Sequence, residues 1–227
     1  MASAASDSLP NPDIRERIVA AGLLALSDDS TAELTVRRVA KLAGSSTMCI
    51  YTKFGGRTGM VEAIYRRGFE ALRDALSVAT SEMVGPAAQD PDERIVAIAT
   101  AYRRFALDRP ALYALMFERP LPDFDPAPQL RTEALAAALR LLTEEVRHAQ
   151  QHGLLPGQDP AHTSYLLWTA IHGMTSIELT HVQNSALPGW AVSSPGSGEQ
   201  VLVNGVRALL AGLKVTENPV DLRYAPP

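Results

Sequence analysis

The chain has 227 residues, 46% of them hydrophobic, with 21 basic side chains against 25 acidic ones and a formal net charge of −4. That length holds one large domain or two smaller ones, and the acidic balance excludes a surface that coats nucleic acid nonspecifically while leaving room for a local basic face. A single cysteine excludes an intrachain disulfide and fits a reducing cytoplasm, and no run of 18 apolar residues is present to cross a membrane.

Apolar residues recur at spacings of three and four, and alternating runs are rare, so the chain reads as nearly all helix. The opening segment MASAASDSLPNPD has neither a basic n-region nor an apolar h-region and is expected to be a polar tail over 1–12. A first helix is expected over Ile14 to Leu26, with Ile14, Ile18, Ala21 and Ala25 on one face and Ser27-Asp28-Asp29-Ser30 ending it. Thr35 caps a second helix whose stripe is Val36, Val39, Ala40 and Ala43, and Gly44 stops it. Ser45 or Ser46 caps a third, in which Ile50 and Phe54 face inward. Gly55-Gly56 breaks that helix, and a long fourth follows from Arg57 to about Thr80. Gly59 is expected to weaken its start, glycine costing ~1 kcal/mol against alanine inside a helix. Further helices are expected at about 91–108, 110–118, 128–152, 159–184 and 199–213. Between them lie LPDFDPAP, GLLPGQDP and the loop NSALPGWAVSSPGSGE. A weakly ordered tail is expected from about 215 to 227.

The segment from Thr35 to Arg57 carries Arg37, Arg38, Lys41, Lys53 and Arg57 and no acidic residue. Two short helices joined by a tight turn, with a concentrated positive charge, point to nucleic acid. A helix fits the major groove, and short polar side chains on it can meet base edges. The third helix offers Ser46, Thr47, Met48 and Cys49 at its start, then Tyr51, Thr52 and Lys53.

The residues RIVAAGLLAL (17–26), TVRRVAKLAG (35–44) and the set Ile50, Tyr51, Phe54 and Arg57 resemble the DNA-binding domain of the TetR family of transcriptional regulators. Trp168, His172 and Gly173 are similar to a W…HG pattern in one subgroup of its C-terminal domains. The resemblance implies an all-α fold of about nine helices. A helix-turn-helix domain over 13–58 would precede a helical ligand-binding and dimerisation domain over 59–214, with tails at 1–12 and 215–227. By position it implies phosphate contacts from Thr35, Tyr51, Lys53 and Arg57. Base-facing positions fall at Ser46, Thr47 and Cys49, with Thr52 beside them and Arg37 adding to the field. The partners it implies are a double-stranded DNA operator, a small-molecule effector and a second copy of the chain.

A regulator of this kind needs a cavity. The candidates to line it are Phe69, Tyr102, Phe105, Tyr113, Met116, Phe117, Tyr165, Trp168 and His172. That mixture suits an apolar or aromatic effector with one or two hydrogen-bonding groups, although each residue taken alone reads more readily as core. The last helix presents Val201, Leu202, Gly205, Val206 and Leu209 for dimerisation, with burial inside one subunit as the alternative. Cys49 has no second cysteine to resolve an oxidised form. His148 and His152 sit four apart with no third ligand nearby, so no metal or other cofactor is expected. No G-x-S-x-G, nucleotide loop or H-E-x-x-H appears, which argues against an enzyme. The alternative to a regulator is a helical ligand-binding or scaffold protein without operator binding.

Overall fold

The computed structural model describes residues 13–26, 34–155, 159–184 and 195–215. Among them nine α-helices follow one another and no strand occurs. They are α1 (Ile14–Leu26), α2 (Val36–Leu42), α3 (Thr47–Phe54), α4 (Arg57–Ser81), α5 (Pro91–Asp108), α6 (Pro110–Phe117), α7 (Pro128–Gln151), α8 (Pro160–Asn184) and α9 (Pro195–Val215), with a short 3₁₀ turn at Pro86–Gln89.

Every helix from α5 onward opens on proline. Its locked φ suits the first turn, and its missing N–H is one that a helix start cannot pair anyway. The same rule moves one expected boundary. The last helix begins at Pro195 rather than near 199, so part of the expected loop is helical. The remainder of that loop at 185–194, the segment at 27–30 expected to end α1, and both terminal tails lie outside the described residues.

The centre of the fold is α4. It buries Met60, Val61, Ile64, Tyr65, Phe69, Leu72 and Leu76 at helical spacing, and it packs against α1, α3, α5, α6 and α7. It therefore ties the first three helices to the rest. In turn α5 packs against α7, α8 and α9. Inside that second group Arg103 of α5 and Glu178 of α8 form a two-point ion pair at 2.6 and 2.7 Å, both side chains buried. Arg94 of α5 pairs with Glu145 of α7 in the same manner. Paired geometry is what lets such charges leave water.

Gly59 has a role that its helix propensity hides. A Cβ there would overlap the carbonyl oxygen of Phe54. The absent side chain lets the last turn of α3 lie directly on the first turn of α4. What reads as a weak helix start is a tight joint between the two helices.

Candidate nucleic-acid interface and internal slot

The α2–turn–α3 unit is fixed from both ends by its own sequence. The Thr35 hydroxyl accepts from the Arg38 N–H at 3.2 Å, and the Ser46 hydroxyl accepts from the Cys49 N–H at 3.2 Å. Each satisfies an amide that has no partner within its helix. Between them Gly44 takes a left-handed φ of 59°, which turns the chain. Two residues absent from the sequence-based set complete the clamp. Arg17 of α1 donates to the Ala43 carbonyl at 2.6 Å, and Arg15 donates to the Lys53 carbonyl at 2.7 Å while stacking over the Phe54 ring at 4.4 Å. Both cations sit where helix C-termini carry partial negative charge. No local motif announces them, because the partners lie 26 and 38 residues away.

With its inner side fixed by the buried Ile50, α3 turns Thr47, Met48, Tyr51, Thr52 and Lys53 to solvent. Met48 and Tyr51 are 70% and 56% exposed, which for such side chains marks a surface that water alone does not favour. Ser46, Thr35 and Arg37 are also exposed. Cys49 is half-buried and packs partly on the core, so Met48 stands further out than Cys49 on the same turn. Thr52 donates its hydroxyl back to the Met48 carbonyl at 3.0 Å. Arg57 lies at the start of α4 and pairs with Asp123, a carboxylate in the loop between α6 and α7. Phe124 beside it is buried and meets Tyr65 of α4 edge-on at 6.0 Å, which anchors that loop.

The nine residues expected to line a pocket separate into two groups. Phe69, Tyr102, Tyr113, Phe117, Trp168 and His172 form one continuous aromatic cluster, with ring centres 4.9 to 6.4 Å apart. Phe105 instead lies under the Arg109 guanidinium and lines an outer groove, Met116 packs at Gly68, and Tyr165 is 56% exposed beside Trp168. Within the cluster, His172 Nδ1 is 2.8 Å from both the Tyr102 and Tyr113 hydroxyls. Burial pushes both hydroxyls well above the ordinary tyrosine value and pulls His172 below the ordinary histidine value. All three are therefore neutral near pH 7.

Tyr102 and Trp168 also form part of the wall of a narrow slot. The rest of the wall is Leu72 and Leu76 of α4, Ile98 of α5, Leu135, Ala138, Leu139 and Leu142 of α7, and Ile171 of α8. Its free volume is about 20 Å³, room for a single water. The aliphatic lining was not legible in the sequence, since those residues look the same as any other core stripe. A larger hollow of about 720 Å³ lies between α4 and α5, floored by Ala71, Ala75, Ala97 and Ala101 and rimmed by Arg67, Asp74, Arg104 and Asp108. It is open to water, so a small molecule there would bury little of its surface.

The expected dimer face also divides. Leu202 and Val206 are fully buried in their own subunit, and a Cβ on Gly205 would come within 2.6 Å of the Met174 sulfur of α8. These three serve packing within one chain, where α9 lies against both α5 and α8. Val201 stays exposed and Leu209 half-buried. On α8, Tyr165, Leu166 and Ile177 are exposed as well. His148 and His152 lie with rings 4.4 Å apart, and among the described residues no cluster of three metal-ligating side chains occurs.

Residues 95–188, from α5 through α8, match the family model described as tetracyclin repressor-like, C-terminal domain. An HTH-type transcriptional regulator of Mycobacterium tuberculosis is 27% identical over 193 residues, covering 73% of this chain and 80% of that protein. The solved structure of a protein of unknown function from Rhodococcus sp. RHA1 superposes with a TM-score of 0.70 at 25% identity, over 92% of this chain and 99% of that one. The transcriptional regulator FadR from Bacillus subtilis, solved in complex with stearoyl-CoA, shares the fold with a TM-score of 0.62 at 14% identity, over 88% and 97% of the two chains.

Proposed function

Because the chain belongs to the TetR family of transcriptional regulators, we propose that it binds a near-palindromic operator as a homodimer, represses from it, and is released by a small apolar or aromatic effector. Proteins of this family regulate transcription and are not enzymes. The observation that carries the proposal is the exposed face of α3, polar and cationic, on a helix held by a cap at its start and by arginine at its end.

In this reading residues 13–58 are the DNA-binding unit and 59–214 the ligand-binding and dimerisation unit. Ser46, Thr47 and Cys49 meet base edges, with Met48 beside them. Thr35, Tyr51, Lys53 and Arg57 contact phosphate, Thr52 flanks them, and Arg37 adds to the field. Two recognition helices in successive major grooves stand ~34–36 Å apart or a multiple of it. The exposed apolar residues Tyr165, Leu166 and Ile177 of α8 and Val201 of α9 form the dimer face.

The slot has room for one water, so an effector must part α7 from α4 and α5 to enter. α4 carries that displacement to α3 through the Gly59 joint. An effector shifts the equilibrium only by its differential affinity for the two states. FadR with its bound stearoyl-CoA shows a protein of this fold holding a long apolar chain.

The test is selection of bound duplexes from a random pool, followed by gel shift across a salt series. The expected outcome is a two-fold-symmetric consensus whose affinity falls steeply with salt. No duplex held above background at low salt would overturn the proposal.

A further inference from the structure

The Tyr102–Tyr113–His172 triangle has a hydrogen left over. Two of its sides are 2.8 Å, from His172 Nδ1 to each hydroxyl, and the third, between the hydroxyls, is 3.5 Å. Good O–H···O bonds are about 2.7–2.8 Å, so the third side is too long to hold a proton well. If Nδ1 is bare, it has one lone pair in the ring plane, and only one hydroxyl can donate fully to it. The other hydroxyl hydrogen then has only the 3.5 Å side. If Nδ1 carries the hydrogen, it donates to one or both oxygens, and neither hydroxyl can donate back to it. In both tautomers at least one hydroxyl hydrogen lacks a good acceptor inside the triangle. A buried donor without an acceptor is destabilising, and a bound acceptor would relieve that cost.

Tyr102 is the member that also borders the slot, and it is 3% exposed. The remaining walls of the slot are aliphatic apart from the Trp168 indole, and none of its lining residues is charged. The nearest buried cation on the same helix, Arg103, is spent on Glu178.

We propose that the slot takes an uncharged, apolar ligand carrying a single acceptor oxygen, a ketone, ester or alcohol, which receives the hydroxyl hydrogen of Tyr102. This assignment rests on reading the slot as the effector site. A carboxylate or a phosphate ester would bring a charge into walls with nothing to balance it. A pure hydrocarbon would leave the hydroxyl unmatched. The ligand's head therefore meets Tyr102 beside Trp168, and its body lies between Leu76 of α4 and Leu139 and Leu142 of α7.

The test is calorimetric titration of the full chain, without DNA, with octan-2-one and acetophenone against octanoate, benzoate and ethylbenzene. The two ketones are expected to bind at least tenfold more tightly than the carboxylates. Tyr102→Phe is expected to weaken the ketones five- to tenfold, the effect of one hydrogen bond, and to leave ethylbenzene unchanged, which also reports that the variant is folded. Tighter carboxylate than ketone binding, ketone binding indifferent to Tyr102→Phe, or no ketone binding into the millimolar range would each overturn the assignment. Gel shift of the same preparation on the selected duplex separates this failure from that of the regulator reading. Ketone binding without duplex binding sinks only the latter, and duplex binding without ketone binding sinks only the former.

Discussion

The two ends of α4 meet two differently built regions. At its N-terminus the α1–α3 unit is held over shorter spans: Thr35 caps α2 and Ser46 caps α3 across three residues, and Arg17 and Arg15 close helix ends across 26 and 38. Alongside its C-terminal half the aromatic core is long-range: His172 meets Tyr102 and Tyr113 across 70 and 59 residues, and Arg103 meets Glu178 across 75. A unit built from local rules can keep its shape while it moves as a body. A core built from distant pairs is what a wedge between helices can rearrange. The difference suggests why the reading face would sit on the first and the sensing slot in the second.

The largest expected effect tests the long-range half. Glu178→Ala removes the two-point partner of the buried Arg103, whose guanidinium also lies 3.6 Å from the exposed Glu199 carboxylate, and breaking such a pair costs about 3–5 kcal/mol. The double change Arg103→Met with Glu178→Leu removes both charges and should recover most of that loss. Urea unfolding of the three proteins measures it. If the single variant loses no more than the double, the pair does not organise the core.

Next comes the joint between the halves. Gly59→Ala places a Cβ on the Phe54 carbonyl oxygen, a backbone atom that cannot swing aside. Overpacking of this kind costs about 1–3 kcal/mol. Because the strain falls between α3 and α4, duplex affinity should drop more than tenfold while calorimetric ligand binding is retained. Equal loss of both would show that the two regions do not move separately.

How much of this the sequence disclosed follows from the same contrast. The caps at Thr35 and Ser46, the turn at Gly44 and the break at Gly55-Gly56 obey rules that span a few residues, so the α2–turn–α3 unit and nearly every helix boundary were legible. Arg15 and Arg17 were not, because a cation that closes another helix's end carries no local mark. The members of the aromatic core could be named but not assembled. Phe105 and Tyr165 share the composition of Tyr102 and Trp168, yet only packing shows that they face elsewhere. The aliphatic slot wall was hidden altogether, since Leu139 and Leu142 repeat at the spacing of any buried stripe. Leu202 and Val206 show the reverse: an apolar helix face reads as a surface for a second subunit, yet both side chains are buried within their own chain.

A subtler measurement sharpens the account of the core. Burial holds His172 below its ordinary value, so the folded protein resists taking up a proton that the unfolded chain accepts readily. Above the unfolded histidine value of about 6.5 both states are neutral there and the core has its full stability. As the pH falls below that value the unfolded state gains the proton first, and stability declines down to the folded value. The urea midpoint should therefore fall between pH 7 and pH 5 in the parent protein and fall less in His172→Phe. An identical pH profile in the two proteins would show that His172 is not held neutral.

The smallest expected effect lies on the boundary between the two regions. Arg57 starts α4 beside the reading face, and in this structure its guanidinium is engaged by Asp123 of the α6–α7 loop. A guanidinium cannot grip this carboxylate and a phosphate equally well at once, so operator binding has to compete with the ion pair. The pair is partly exposed, at 30% and 63% for the two side chains, which limits its worth to about 0–1 kcal/mol. Asp123→Ala should thus raise affinity for every duplex, irrespective of sequence, by no more than about fivefold. Freeing one more phosphate contact should also steepen the slope of log K against log salt by up to about 0.9. Base preference should stay as it was, because Arg57 stands outside the exposed turn of α3 that carries Thr47 and Met48. A gel-shift salt series on the consensus duplex and on a scrambled one decides the matter. An unchanged slope on both would mean that Arg57 keeps Asp123 when DNA is bound, and that its charge belongs to the sensing region rather than to the reading face.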